Sequence, residues 1–164
     1  MPEYFDRYIN QVEDIELSAA LQQSIREIEQ FPLDRWRALG DKVYAPGKWT
    51  IKDILQHLID TERVFAYRAL SFARQESARL PSYDEDAFAQ SALANRRELD
   101  DLVAELLLSR RSFEAMYQSF SPEMLQRNGL SFKGTYSVLS IGFIIAGHQR
   151  HHLKILEERY YPLL

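Results

Sequence analysis

Histidine is the residue type through which this 164-residue chain can do chemistry. The chain has four histidines, and His148, His151 and His152 fall within one short stretch. Steps of four and three residues there give Ile141, Ile145, His148, His152 and Ile155, so two imidazoles take consecutive places on an apolar helical stripe that should face a core. A buried imidazole without a partner costs about 1 to 3 kcal/mol, so the pair requires either a hydrogen-bonding network or a metal ion. Residues four apart on a helix have Cβ atoms roughly 5 to 6 Å apart, which lets two ring nitrogens approach one zinc-like ion at about 2.0 to 2.1 Å each. The remaining histidine, His57, flanks the stripe Ile54, Leu58 and Phe65 and can point inward from another helix. Three neutral imidazoles are the ligand set of a catalytic zinc site with water or substrate in the fourth position, whereas a structural site is closed by a fourth protein ligand. The competing reading has no metal, with the histidines solvated or bonded to Asp or backbone carbonyls.

Other residues carry double readings. His-Glu-x-x-His is absent, because the sequence runs His148-Gln-Arg-His-His152, so a metalloprotease mechanism has no support. His151 drifts off the stripe, toward a pocket rim or a bond to a ligand. Asp53, one turn before His57, can orient that ring or cap its helix. Glu62 lies well round the helix from His57 and reads as an ion-pair or pocket residue. Trp49 and Tyr67 line either a pocket or the core. Arg96, Arg97, Arg110 and Arg111 offer an anion site or a solvated helix face, and Asp84, Glu85 and Asp86 suit the positive end of a helix or a substrate contact.

The six Gly and six Pro cut the chain into long segments of helical period. Helices are predicted over Asp14 to Gln30, Thr50 to Ala73, the acidic group Asp84-Glu85-Asp86 to Phe120, and Ser137 to Tyr160. Tyr4, Phe5, Tyr8, Ile9 and Val12 suggest a short element packed against them. Thr50 is a good N-cap, with Asp53 completing an imperfect capping box. No segment has a strand pattern, and Val138 to Ile145 reads as helix because helical spacing continues beyond it. The expected fold is all-α, an up-and-down-type four-helix bundle in a single domain over 1–164.

No cysteine is present, which removes disulfides and thiolate ligands together. A net charge of -4 without a basic stripe argues against nucleic acid. No apolar run approaches the roughly 20 residues that span a bilayer, so no membrane partner is expected. The opening Met-Pro-Glu-Tyr-Phe-Asp has none of the basic and apolar character of a secretory signal, and a cytoplasmic location is expected.

Four stretches carry a family resemblance: Tyr44-Ala-Pro-Gly-Lys-Trp-Thr-Ile-Lys-Asp-Ile-Leu-Gln-His57, Asp60-Thr-Glu-Arg-Val-Phe-Ala-Tyr-Arg-Ala-Leu70, Leu80-Pro-Ser-Tyr-Asp-Glu-Asp86 and Gly147-His148-Gln-Arg-His-His152. In these the chain resembles the DinB-like, or YfiT-like, metal-dependent bundle proteins over nearly its whole length. The resemblance implies a four-helix bundle, commonly a homodimer, holding one divalent ion, zinc or nickel, between His57, His148 and His152. Activities in that family include S-transfer from low-molecular-weight thiols such as bacillithiol, mycothiol and glutathione, and isomerisation. The expectation is therefore a metal-dependent enzyme, a thiol S-transferase or hydrolase, acting on a small-molecule substrate. The alternative is a non-catalytic metal-binding or dimerising stress-related protein.

Overall fold

The computed structural model of the chain describes residues 3–132 and 134–164; residues 1, 2 and 133, and the side chain of Glu3, lie outside the described residues. Four long helices carry the architecture: α2 (Leu17–Glu29), α4 (Ile51–Ala73), α6 (Leu99–Gln118) and α8 (Val138–Ile155). Shorter elements join them: α1 (Glu3–Ile9), α3 (Leu33–Leu39), α5 (Glu85–Ala92) and α7 (Pro122–Gln126), with a hairpin of β1 (Asn128–Ser131) and β2 (Gly134–Ser137) ahead of α8. The all-α four-helix bundle expected from the sequence is what these helices form.

Local chemistry explains the two helices that matter most. α4 begins on a complete capping box, the Thr50 hydroxyl accepting from the Asp53 amide while the Asp53 carboxylate accepts from the Thr50 amide. α8 begins on Ser137, whose hydroxyl accepts from the Ser140 amide. Val138 to Ile145 is helical, as its continuing period predicts, and buries Val138, Ile141, Ile144 and Ile145.

Each long helix packs on two others: α2 against α6 and α8, and α4 against α6 and α8. Trp49 meets α8's extension at Tyr160, His57 meets His148, and Phe72 meets Tyr136, so α4 and α8 run antiparallel. Alternation of direction is not strict around the ring. Gln56 contacts Arg97 and Glu62 contacts Arg110, which makes α4 and α6 parallel; Ser24 and Glu27 contact Gln149 and Arg150 in ascending order, which makes α2 and α8 parallel as well. Residues 74–98 form the crossover that parallel α4 and α6 require.

Two expectations need correction. The third predicted helix, from the acidic group to Phe120, is broken into α5 and α6 at Leu93, whose φ of 51° is left-handed. No glycine or proline marks this break. It follows from tertiary bonding, since the turn brings Asn95 to the Thr50 hydroxyl at 2.7 Å and to the Asp53 carboxylate at 3.3 Å, and buries Ala94 completely. The hairpin was also unforeseen. Its strands are only four residues long, too short to show a period, and Gly129 is required where β1 crosses Phe72, because a Cβ there would fall 1.8 Å from the ring.

The core has two apolar halves. One contains Phe65, Ala69 and Phe72 of α4 with Ile141, Ile144 and Ile145 of α8; the other contains Ile51, Ile54, Leu55 and Leu58 of α4 with Leu156 and Tyr160. Between them lies a polar layer to which every long helix contributes: Ser24 from α2, His57, Thr61 and Glu62 from α4, Arg110 from α6, and His148 and Gln149 from α8, all buried.

Candidate metal centre

The polar layer has two sides. On one, Arg110 Nε donates to both oxygens of Glu62 at 3.1 and 3.2 Å, and its Nη1 donates to Gln149 Oε1 at 2.9 Å. Gln149 Nε2 then donates to the Ser24 carbonyl at 3.2 Å and to Glu27 Oε2 at 3.0 Å. These bonds fix the rotation of α8 about its axis. Successive helical residues point about 100° apart, so pinning Gln149 toward α2 and α6 turns His148 toward α4.

There the histidines meet. His148 Nε2 lies 3.1 Å from His57 Nε2 and 3.1 Å from His152 Nε2, and all three nitrogens lie within 4.8 Å of one another. His57 and His148 are buried, while His152 is partly buried at the edge. Burial pushes the His57 imidazole down to about 4. Burial, followed by the neighbouring imidazoles, holds His148 and His152 well below the ordinary histidine range. The three rings are thus neutral near pH 7 and offer lone pairs.

Hydrogen bonding among the rings does not explain this arrangement. A neutral imidazole Nε2 carries either one hydrogen or one in-plane lone pair, so His148 Nε2 can make one good link and not two. A divalent ion satisfies all three nitrogens together. At zinc–imidazole bond lengths of about 2.05 Å, nitrogens stand roughly 2.9 Å apart at a right angle and 3.3 Å apart at the tetrahedral angle, so 3.1 Å edges fall between the two. Among the described residues no carboxylate joins the group as a fourth ligand.

The bond at the far side of His57 fits the same role. His57 Nδ1 is 3.4 Å from the Thr61 hydroxyl, and that hydroxyl is 2.5 Å from the Tyr83 hydroxyl. With its hydrogen on Nδ1, His57 donates to Thr61 and leaves the Nε2 lone pair free; Thr61 donates onward to Tyr83. Tyr83 then has its own hydrogen to offer, and burial pushes that phenol up to about 12.

A cavity of about 290 Å³ opens onto His57 and His148, with Tyr8, Thr61, Phe65, Arg68 and Tyr83 among its walls. That volume is at the lower end for small-molecule sites. Trp49 also packs on the centre, its ring 4.7 Å from that of His57 and stacked at 6.5 Å on His152.

The sequence profile of the DinB superfamily matches residues 16–156. The chain belongs to the DinB superfamily. Among solved structures, this DinB-superfamily chain is similar to YfiT from Bacillus subtilis, described as a probable metal-dependent hydrolase with an unusual four-helix bundle topology. The two share 20% identity with a TM-score of 0.70, over 98% of this chain and 88% of YfiT. No curated protein sequence matches the chain significantly.

The other sequence candidates separate. Asp53 does not orient His57; it is committed to capping Thr50 and to Asn95. Glu62 forms the buried pair with Arg110, and burial pushes its carboxyl up against the pull of that guanidinium. Tyr67 is 59% exposed and lies outside the cavity, its place taken by Tyr8 and Tyr83. His151 is partly buried, with its ring 5.3 Å from Tyr8. Arg110 is buried, not part of a solvated face, while Arg97 pairs with Glu105 and Arg111 with Glu29. Asp84 caps α5, and Asp84, Glu85 and Asp86 also border the cavity. Thr61 and Arg68 were missed, although their spacings of four and eleven from His57 place both on its helical face. Gly147 was also missed as a contact: a Cβ there would lie 1.8 Å from the Tyr8 carbonyl oxygen, so its absence lets α1 close the cavity wall.

No helix among the described residues is long and apolar enough to cross a membrane.

Proposed function

We propose that this protein is a metal-dependent enzyme that binds one divalent ion, zinc or nickel, through the Nε2 atoms of His57, His148 and His152 and acts on a small molecule held in the adjoining cavity. The observation that carries this reading is the convergence of three neutral imidazole nitrogens that bonds among themselves cannot all satisfy at once, beside a cavity and without a closing fourth ligand among the described residues. Membership of the DinB superfamily and the likeness to YfiT support it.

A divalent ion bound there supplies Lewis acidity, able to lower the pKa of water or of a small thiol and to polarise a carbonyl. The chain's own residues do the rest. Thr61 holds the His57 ring in the tautomer that presents Nε2. Tyr83, protonated at neutral pH, donates a hydrogen bond to an oxygen developing charge in the cavity. Phe65, Phe5 and Ile144 exclude water from its apolar wall. Hydrolysis is the reaction that this arrangement favours, since water needs no recognition beyond the ion; transfer of a small thiol uses the same open side.

The test is elemental analysis of untagged protein purified without chelator, followed by zinc or nickel titration. The reading expects one ion per chain; metal that remains far below one per chain after titration refutes it. Hydrolysis of a panel of activated esters and amides, measured with and without the ion, then separates an enzyme from a metal-binding protein without activity.

A further inference from the structure

Arg68 stands on the same face of α4 as His57, eleven residues or about 16 Å of helix further on. His57, Thr61, Phe65 and Arg68 form one stripe at spacings of four, four and three, and all four line the cavity. We infer that Arg68 is the specificity residue of this cavity, binding the carboxylate of a substrate whose reactive end lies toward the three imidazoles.

Arg68 is only 6% exposed and takes part in none of the ion pairs among the described residues. Its protein partners are the Pro81 carbonyl at 2.9 Å, the Tyr136 hydroxyl at 3.4 Å, and the Phe65 ring 4.8 Å below its centre. Tyr136 gives its own hydrogen to Ser131 at 2.5 Å, so its oxygen is left to accept from Arg68. These contacts hold the guanidinium in place but use two of its five N–H donors, and none brings negative charge. Arginine does not escape burial by losing its proton, so a buried guanidinium that no carboxylate touches is an anion site in waiting. Contrast Arg110, equally buried, whose charge Glu62 meets directly.

The walls narrow the anion to a class. Phe5, Phe65, Tyr136 and Ile144 give the cavity one apolar side between Arg68 and the imidazoles, against which a hydrocarbon or aromatic body can pack. Asp84, Glu85 and Asp86 border the same cavity, so two negative charges on one group would be repelled more strongly than one. A planar monoanion that accepts two parallel N–H bonds, a carboxylate, fits better than a phosphate monoester. The inference rests on the proposed function for what lies at the other end of the cavity, but the carboxylate contact itself needs no metal.

The test compares binding of hexanoate, 3-phenylpropanoate and 4-phenylbutanoate with binding of their primary amides, by calorimetry on the full chain after chelator treatment. Without metal, a preference for the anion must come from the protein. We expect at least one carboxylate to bind about 10- to 100-fold tighter than its amide, Arg68→Met to abolish that preference, and Arg68→Lys to keep part of it. Equal binding of acid and amide by the wild type, or no binding of any acid, overturns the inference. So does a preference that survives Arg68→Met in a variant with native helix content; if that variant does not fold, the wild-type comparison and Arg68→Lys decide. Zinc uptake is read separately. A carboxylate preference without zinc binding refutes the metal reading and leaves Arg68 in its role, and zinc binding without the preference does the reverse.

Discussion

Gln149 follows His148 directly in the chain yet faces the other side of α8: its side chain is tied to Arg110 on α6 and to Ser24 and Glu27 on α2, while His148 Nε2 stands 3.1 Å from His57 on α4. The placement of the imidazole is thus set by bonds on the opposite face of its helix.

Removing one ligand should abolish metal uptake without unfolding the bundle. His152 stands at the edge of the centre and is less enclosed than His57 or His148, so His152→Ala is the ligand substitution expected to disturb the packing least. Zinc affinity should fall at least 100-fold while far-ultraviolet circular dichroism stays native; unchanged affinity would remove His152 from the centre.

Thr61→Val preserves shape and deletes the hydroxyl that His57 Nδ1 meets at 3.4 Å. Loss of a partner behind a metal ligand typically weakens binding by about 10- to 100-fold. Competition against a fluorescent chelator measures this, and Tyr83→Phe, which leaves Thr61 in place, should change zinc affinity far less.

The Glu62–Arg110 pair is buried on both sides, with the two residues each 1% exposed. Arg110→Met leaves an uncompensated carboxylate and should cost about 3 to 5 kcal/mol in urea unfolding. The double variant Glu62→Met with Arg110→Met should recover part of that loss, because no charge is then stranded.

Stability of the metal-free protein should fall with acid. Burial lowers the His57 pKa from 6.5 to about 4 and moves His148 and His152 the same way. Below pH 6.5 the unfolded chain therefore takes up protons that the folded chain refuses, so unfolding becomes easier as pH drops toward 4. His57 alone should contribute about 2 kcal/mol of loss between pH 7 and 5. Thermal melts of chelator-treated protein across this range give the slope, and His57→Asn should flatten it.

Gly147→Ala should push α1 off the bundle. The new methyl group would sit 1.8 Å from the Tyr8 carbonyl oxygen, a backbone atom that cannot rotate away. A loss of roughly 2 kcal/mol or more is expected, together with entry of a larger set of ligands as Phe5 and Tyr8 withdraw from the cavity wall.

The histidine stripe was legible because helical period alone places His148 and His152 on one face, and the capping box at Thr50 and Asp53 marked the start of the helix that carries His57. Asp53 was given a second role that the first one precludes, since its carboxylate is already committed to the helix end. The break at Leu93 left no local signal, being fixed by Asn95 reaching a residue 45 positions earlier. Helical period shows which face is apolar but not which neighbour covers it, so the parallel pairing of α4 with α6 was not readable. Arg68 and Tyr67 differ by one position, and only packing tells the buried one from the exposed one.

The layer of buried polar groups between the two apolar halves has a consequence for how the bundle assembles. Hydrophobic helices can slide past one another by a turn at modest cost, but a slip here would strand Ser24, Glu62, Arg110 and Gln149 in hydrocarbon at once. These residues act as a registration key that admits a single alignment of the four rods, and the three rings inherit their convergence from it. Substitutions far from the rings that loosen this key should therefore blur the centre before they melt the fold.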